Sequence, residues 1–174
     1  MSRVHLLSAA LILSAGLLAW EAGAQGVREG VIPLSDFPRE PLVIETRSAR
    51  RHSLDAWRAE TAATREQGLM FVQDIQPEQA MIFVYEPPQR VAMWMKNTLL
   101  PLDMVFVDDA GCVVRIVRNA HPRSLDTIDS RTPVALVVEL KGGVAKSLGI
   151  DAGDRVLRPA ADWPARGLSC TGTR

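Results

Sequence analysis

Apolar residues along this chain come in short bursts rather than in long helical stripes. Residues 42–46, 81–85, 91–95, 104–107, 112–117 and 134–140 are dominated by Val, Ile, Leu, Met and Phe, the length and composition of buried strands. Pro87-Pro88, Pro101 and Pro133 punctuate them, and Asp108-Asp109-Ala110-Gly111 between two such runs predicts a hairpin turn. A mixed segment at 54–63 reads as a further strand, and 155–157 as the last. Helical signals are confined to two places. Thr64 and Gln67 have capping-box spacing with Gly68 as an early stop, and 142–149 suits two turns ending at Gly149. Several strands are apolar on both faces, and no alternating βα rhythm exists. The pattern therefore predicts an α+β fold: a compact, mainly antiparallel, β-barrel-like domain with two short helices.

The 174 residues leave room for one such domain. Arg3, the apolar run 6–18 and the small residues Ala22-Gly23-Ala24 form the three parts of a secretory signal peptide over 1–24. Residues 25–40, rich in Gly, Pro and charge, read as a mobile leader, 41–158 as a single β-rich domain and 159–174 as a tail. The expectation is a periplasmic or secreted monomer, with no membrane attachment once the signal is removed. Removing it deletes one base, Arg3, and one acid, Glu21, so the formal net charge stays at zero. The remaining bases are scattered, which argues against nucleic acid as a partner. Cys112 and Cys170 would meet an oxidising compartment, and pairing them would contribute about 4 kcal/mol by loop closure. Whether they pair is open at this level.

Candidate chemistry concentrates in Trp94-Met95-Lys96-Asn97-Thr98 and the following Pro101-Leu102-Asp103. Read as a strand, Val91, Met93 and Met95 point one way and Ala92, Trp94 and Lys96 the other. Five of the six methionines fall between positions 70 and 104. They fit either an adaptable core or a Cu(I) site built from thioethers. Glu139 lies within the apolar run 134–140, where a carboxylate must be paired or neutralised, and Arg65 and Lys96 are the cations expected beside it. Asp103 either accepts backbone N–H groups at the turn or orients Asn97 or Lys96. Trp94, Lys96, Asn97, Asp103, Glu139 and Arg65 are thus the candidate ligand-binding residues. The chain has no G-x-S-x-G elbow, no H-E-x-x-H, no paired C-x-x-C and no Gly-rich phosphate loop after a strand. No metal site is predicted from spacing, and the cofactor is unknown.

The series Arg65-Glu66-Gln67-Gly68-Leu69-Met70, Met81-Ile82-Phe83, Trp94-Met95-Lys96-Asn97-Thr98, Pro101-Leu102-Asp103, Val138-Glu139-Leu140 and Gly149-Ile150-Asp151-Ala152-Gly153-Asp154 resembles the domain of unknown function 192 family over about residues 42–158. The resemblance implies a small exported β-rich domain of unassigned activity. It also implies importance for Met70, Met81, Trp94, Met95, Lys96, Asn97, Asp103 and Glu139. Members usually carry Gly before the Met-Leu/Ile-Phe motif, where this chain has Ala80. If that glycine admits a ligand, the Ala80 methyl narrows the site.

Three functions are compatible with these residues, beside a purely structural role in which the block only holds the barrel together and loops carry recognition. The first is a non-catalytic module that binds a small molecule or a partner segment between an aromatic wall and convergent polar groups. The second is an acid–base enzyme using Lys96 with Asp103 or Glu139. The third is a Cu(I)-handling protein using methionine thioethers. The sequence favours binding and leaves the question of catalysis open.

Overall fold

The computed structural model describes residues 30–158 and Cys170, so the expected signal peptide and nearly all of the tail lie outside the described residues. In chain order the elements are β1 (Arg39–Glu45), β2 (Arg51–Ala59), α1 (Ala62–Gln67), β3 (Gln79–Gln89), β4 (Ala92–Met93), β5 (Leu102–Val107), β6 (Val113–Ala120), β7 (Ile128–Asp129), β8 (Val134–Lys141), α2 (Val144–Leu148) and β9 (Arg155–Leu157). Seven strands form one sheet in the order β6-β5-β8-β3-β2-β1-β9, and β4 pairs with β7 in a small separate ribbon. Every pair is antiparallel except β2 with β3, which run parallel because α1 carries the chain across between them. The α+β, mainly antiparallel expectation holds.

The two ends of that sheet come together. Cys112, just before β6, bridges Arg155 of β9, and Val113 N–H donates to Asp154 O while Val156 N–H donates to Gly111 O, both at 2.8 Å. The sheet is thereby curled into a half-barrel. Its concave side holds one core with residues from every strand, including Leu42, Ala56, Ile82, Val105, Val113, Val138 and Val156, stoppered by Val144 and Ala145 of α2. A second core lies on the convex side of the central strands, where Trp57, Met81, Phe83, Met104, Phe106 and Val137 are covered by Val91, Met93 and Met95. Two cores on one sheet explain why β5 is buried at every position and β8 from Val134 to Leu140.

Asp103 serves this framework. The N-cap of α2 is Gly143, which has no side chain to offer. Asp103, fully buried, supplies the missing acceptor from β5: its Oδ2 accepts Ala145 N–H and its Oδ1 accepts Asn119 N–H, each at 2.8 Å. Of the two roles open to it, the backbone-accepting one is observed.

Other local expectations shift. The strand predicted at 91–95 stops at Met93, because Met95 N–H turns to Ser124 O, Thr98 N–H closes a turn onto Met95 O, and Asn97 takes φ +56°. Its alternation survives: Val91, Met93 and Met95 are buried, Ala92, Trp94 and Lys96 exposed. The strand read at 54–63 runs from Arg51 to Ala59, and the capping box is Thr61 with Thr64 rather than Thr64 with Gln67. Gly68 ends α1 as expected. The folded body also begins before residue 41. Gln67 holds Ile32 through both its backbone N–H (2.6 Å) and its carbonyl (2.7 Å), and Phe37 is buried in the convex core. Cys112 and Cys170 are joined. Among the described residues no helix is long and apolar enough to cross a membrane.

Replacing Asp103 by Ala strands the buried N–H of Ala145 and the partly buried N–H of Asn119 and should lower the unfolding free energy in urea by ~3 kcal/mol; a loss below ~1 kcal/mol would contradict its capping role. Replacing both Cys112 and Cys170 by Ser should cost about 4 kcal/mol through a loop of 58-residue separation. An unchanged urea midpoint would show that the cross-link constrains nothing.

Candidate functional site

Glu139 projects from β8 onto the convex side, level with Met81 of β3 and Met104 of β5 in the sheet register. Both neighbours are fully buried thioethers, and Glu139 itself is only 4% exposed. Its Oε2 has no hydrogen-bond partner among the described residues. Neither expected cation reaches it. The Arg65 guanidinium donates to the carbonyls of Val84 (3.0 Å) and Glu60 and lies 5.4 Å from the Tyr85 ring centre, strapping α1 to β3. Lys96 stacks its ammonium over the Trp94 ring at 4.8 Å, at the surface. With nothing to compensate it, burial raises the Glu139 pKa to about 8. At neutral pH the group is a carboxylic acid with a proton to donate.

The space beside it is built by three segments. Gly68, at the end of α1, has φ +50°, and a side chain there would come within 2.9 Å of Phe83 Cζ and 3.9 Å of Glu139 Oε2. Glycine thus lets the helix end lie directly over the Phe83 ring and the carboxyl group. The 94–98 turn forms the opposite wall with Trp94 and Thr98, and Met93 and Met70 complete it around a cleft of about 20 Å³. Asn97 holds the walls together. Its carbonyl accepts Phe71 N–H at 3.0 Å, and its Nδ2 lies 3.8 Å from Met70 Sδ; asparagine tolerates the left-handed backbone this requires. Tyr85 donates to Met93 Sδ at 3.6 Å, and burial lifts its pKa to about 12 against the opposing charge of Arg65, with Glu139 adding a smaller upward push.

Trp94, Arg65 and Glu139 therefore line one cleft, Asn97 braces it, and Lys96 caps the outer face of Trp94. Asp103 does not join them. It is level with Leu140, one residue from Glu139, so its side chain lies on the concave side of the sheet. Ala80 is likewise part of the concave core, so its methyl does not narrow this cleft. The methionines pack the convex core at Met81, Met93, Met95 and Met104, while Met70 is half-buried against Asn97. Phe83 and Leu69 line the cleft as well, and neither was among the candidate residues. Phe83 was visible only within its apolar run. Leu99 and Leu125 sit in loops without period, yet are 37% and 70% exposed beside Trp94 at 42%. Those loops are joined by Arg123 N–H to Thr98 O and Met95 N–H to Ser124 O, both at 3.1 Å.

Comparison with known proteins is informative about kinship and silent about activity. A family model described as DUF192, Uncharacterized ACR, matches residues 43–157. A solved structure from Sinorhizobium meliloti 1021, provisionally described as a transcription regulator, is 43% identical; the match covers 70% of this chain and 95% of that one, with a TM-score of 0.69. A protein of unknown function from Novosphingobium aromaticivorans DSM 12444 is 36% identical, over 73% of this chain and 90% of that one, also with a TM-score of 0.69. No functionally curated protein matches.

The buried acid makes stability depend on pH with a defined sign. Folded Glu139 keeps its proton up to about pH 8, against an ordinary value of 4.5. Its contribution is whole below the ordinary value and is lost as the pH rises through the folded one, by at most ~5 kcal/mol. Glu139→Gln removes that loss. In urea titrations from pH 5 to pH 9 the variant should gain on the parent with rising pH; parallel profiles would show that the group is ionised or solvated in the folded protein.

Proposed function

The chain belongs to the DUF192 family, which brings kinship without an activity, and from its site we propose an exported, non-catalytic binding module that grips a protruding group of a partner's polypeptide segment. The observation that carries this reading is the partnerless Oε2 of Glu139 at the floor of the cleft. Buried polar groups are almost always hydrogen-bonded, so an orphan acid beside open space marks a place where something docks.

Size selects the class of ligand. About 20 Å³ holds one water-sized group, whereas pockets for whole small molecules run to several hundred. The turn that carries Trp94 and the loop hydrogen-bonded to it instead expose Trp94, Leu99 and Leu125, the kind of apolar surface that packs against an extended segment. In this scheme the protonated Glu139 donates to a carbonyl of the segment, and Trp94, stiffened by Lys96, packs on the flanking side chain. Export is supported by the signal-like pattern at 1–24 and by the Cys112–Cys170 disulfide. The same protonated carboxyl favours a second reading, general-acid catalysis by Glu139 alone, since Asp103 faces the other core and Lys96 faces solvent.

Peptides selected by display on the mature protein at pH 7 provide the test. They should lose at least about tenfold in affinity for Trp94→Ala and Glu139→Ala. Glu139→Gln keeps a donor and should retain binding, without the parent's decline above pH 8. Peptides that bind both alanine variants as tightly as the parent would overturn the site. A substrate whose turnover Glu139→Gln abolishes would favour catalysis, because an amide cannot surrender a proton.

A further inference from the structure

A second cleft, of about 450 Å³, opens beyond Phe106, where the turn between β5 and β6 faces the loop from β7 to β8. It has the volume of a small-molecule pocket, which the Glu139 cleft lacks. We propose that it binds a small zwitterion of the amino-acid or short-peptide class, with the ligand's carboxylate on Arg115 and Arg131 and its ammonium on Asp109.

Arg115 lays its guanidinium over the Phe106 ring at 5.6 Å, which covers one face and leaves the donor edge free. Neither Arg115 nor Arg131 forms an ion pair with any carboxylate among the described residues. The two guanidiniums are close enough for Arg131 to disfavour the charge on Arg115, after the larger effect of burial. Two cations without an ion-pair partner among the described residues, lining one cleft, are relieved by a carboxylate, which accepts paired N–H donors from such edges. The one acid that Arg115 feels, Asp129, is already held by Arg90 at 3.0 Å and by Arg131 N–H at 2.5 Å.

The opposite wall carries Asp108 and Asp109 from the hairpin turn. Asp108 is occupied, its Oδ1 accepting Cys112 N–H at 2.8 Å. Asp109 is exposed and makes no ion pair among the described residues. Neither Asp108 nor Asp109 lies within ion-pair distance of Arg115 or Arg131, although all four line the cleft, so the acidic and basic groups stand apart in it. Val114 and Pro133 form apolar lining between them. The basic wall is rigid: Ser130, buried, exchanges two hydrogen bonds with the backbone of Val91 at 2.9 and 3.0 Å and donates to Thr132 O at 2.7 Å. Arg131 between them is fixed at φ +68°, a conformation that non-glycine residues seldom hold without a compensating constraint. Separated opposite charges on fixed walls select a ligand that carries both.

The test is a backbone-amide NMR titration of the mature protein with glycylglycine, succinate and ethylamine as zwitterionic, anionic and cationic probes. Glycylglycine should bind with shifts centred on residues 108–109, 114–115 and 130–133, and at least about tenfold more tightly than either single-charge probe. Arg115→Gln and Arg131→Asn should each weaken it at least about tenfold; asparagine suits the positive φ of position 131, so that variant keeps the fold. Asp109→Asn should weaken glycylglycine and leave succinate unchanged. Overturning results are no saturable shifts at these residues, equal affinity for succinate, or a glycylglycine affinity indifferent to both arginine variants.

Discussion

Burial of the central strands on both faces is the constraint from which the rest of this structure follows. β5 and β8 are apolar on both sides because the sheet curls around one core and carries another on its back. In such strands every polar side chain must be satisfied from within the protein or lose its charge. The two acids placed there meet the requirement in opposite ways. Asp103 takes two backbone N–H groups, one of which no helix residue can cap, and becomes a joint between β5, β6 and α2. Glu139 takes none and keeps its proton. One residue of register separates a structural carboxylate from a protonated one.

Much of the frame was legible in the sequence because it is written in short-range signals. Apolar runs, the turn at 108–111 and the glycine stops after α1 and α2 each act within a few residues. The apolarity of both strand faces pointed to a barrel-like form, and the position of Glu139 in an unbroken apolar run announced its burial. What escaped was decided by distant pairings. Met95 leaves the strand because a loop almost thirty residues away offers it an acceptor, Ser124. Asp103 stands next to the Trp-Met-Lys-Asn-Thr block in sequence but across the sheet from it, a consequence of strand parity that only register reveals. Arg65 and Lys96 were reasonable partners for Glu139 by charge, yet backbone carbonyls hold the first and an indole face the second.

The convex face emerges as a surface with two kinds of opening. At one end a cleft too small for a metabolite ends on a neutral acid and is lined in part by the exposed Trp94. At the other a larger hollow is lined by Arg115, Arg131 and Asp109, none of which forms an ion pair among the described residues. The first rests on a local conflict: an acid buried with no cation beside it among the described residues costs stability at neutral pH, and such conflicts tend to survive where function needs them. That cost is borne by a fold held by two cores and a cross-link from Cys112 to Cys170.

The measurement that addresses the central claim most directly is a carbon-13 NMR titration of the Glu139 side-chain carboxyl in the folded protein. The account predicts a protonated signal at pH 7 that titrates at about pH 8. A Glu139 carboxyl already ionised at pH 7, with its transition in the ordinary glutamate range near pH 4.5, would contradict it.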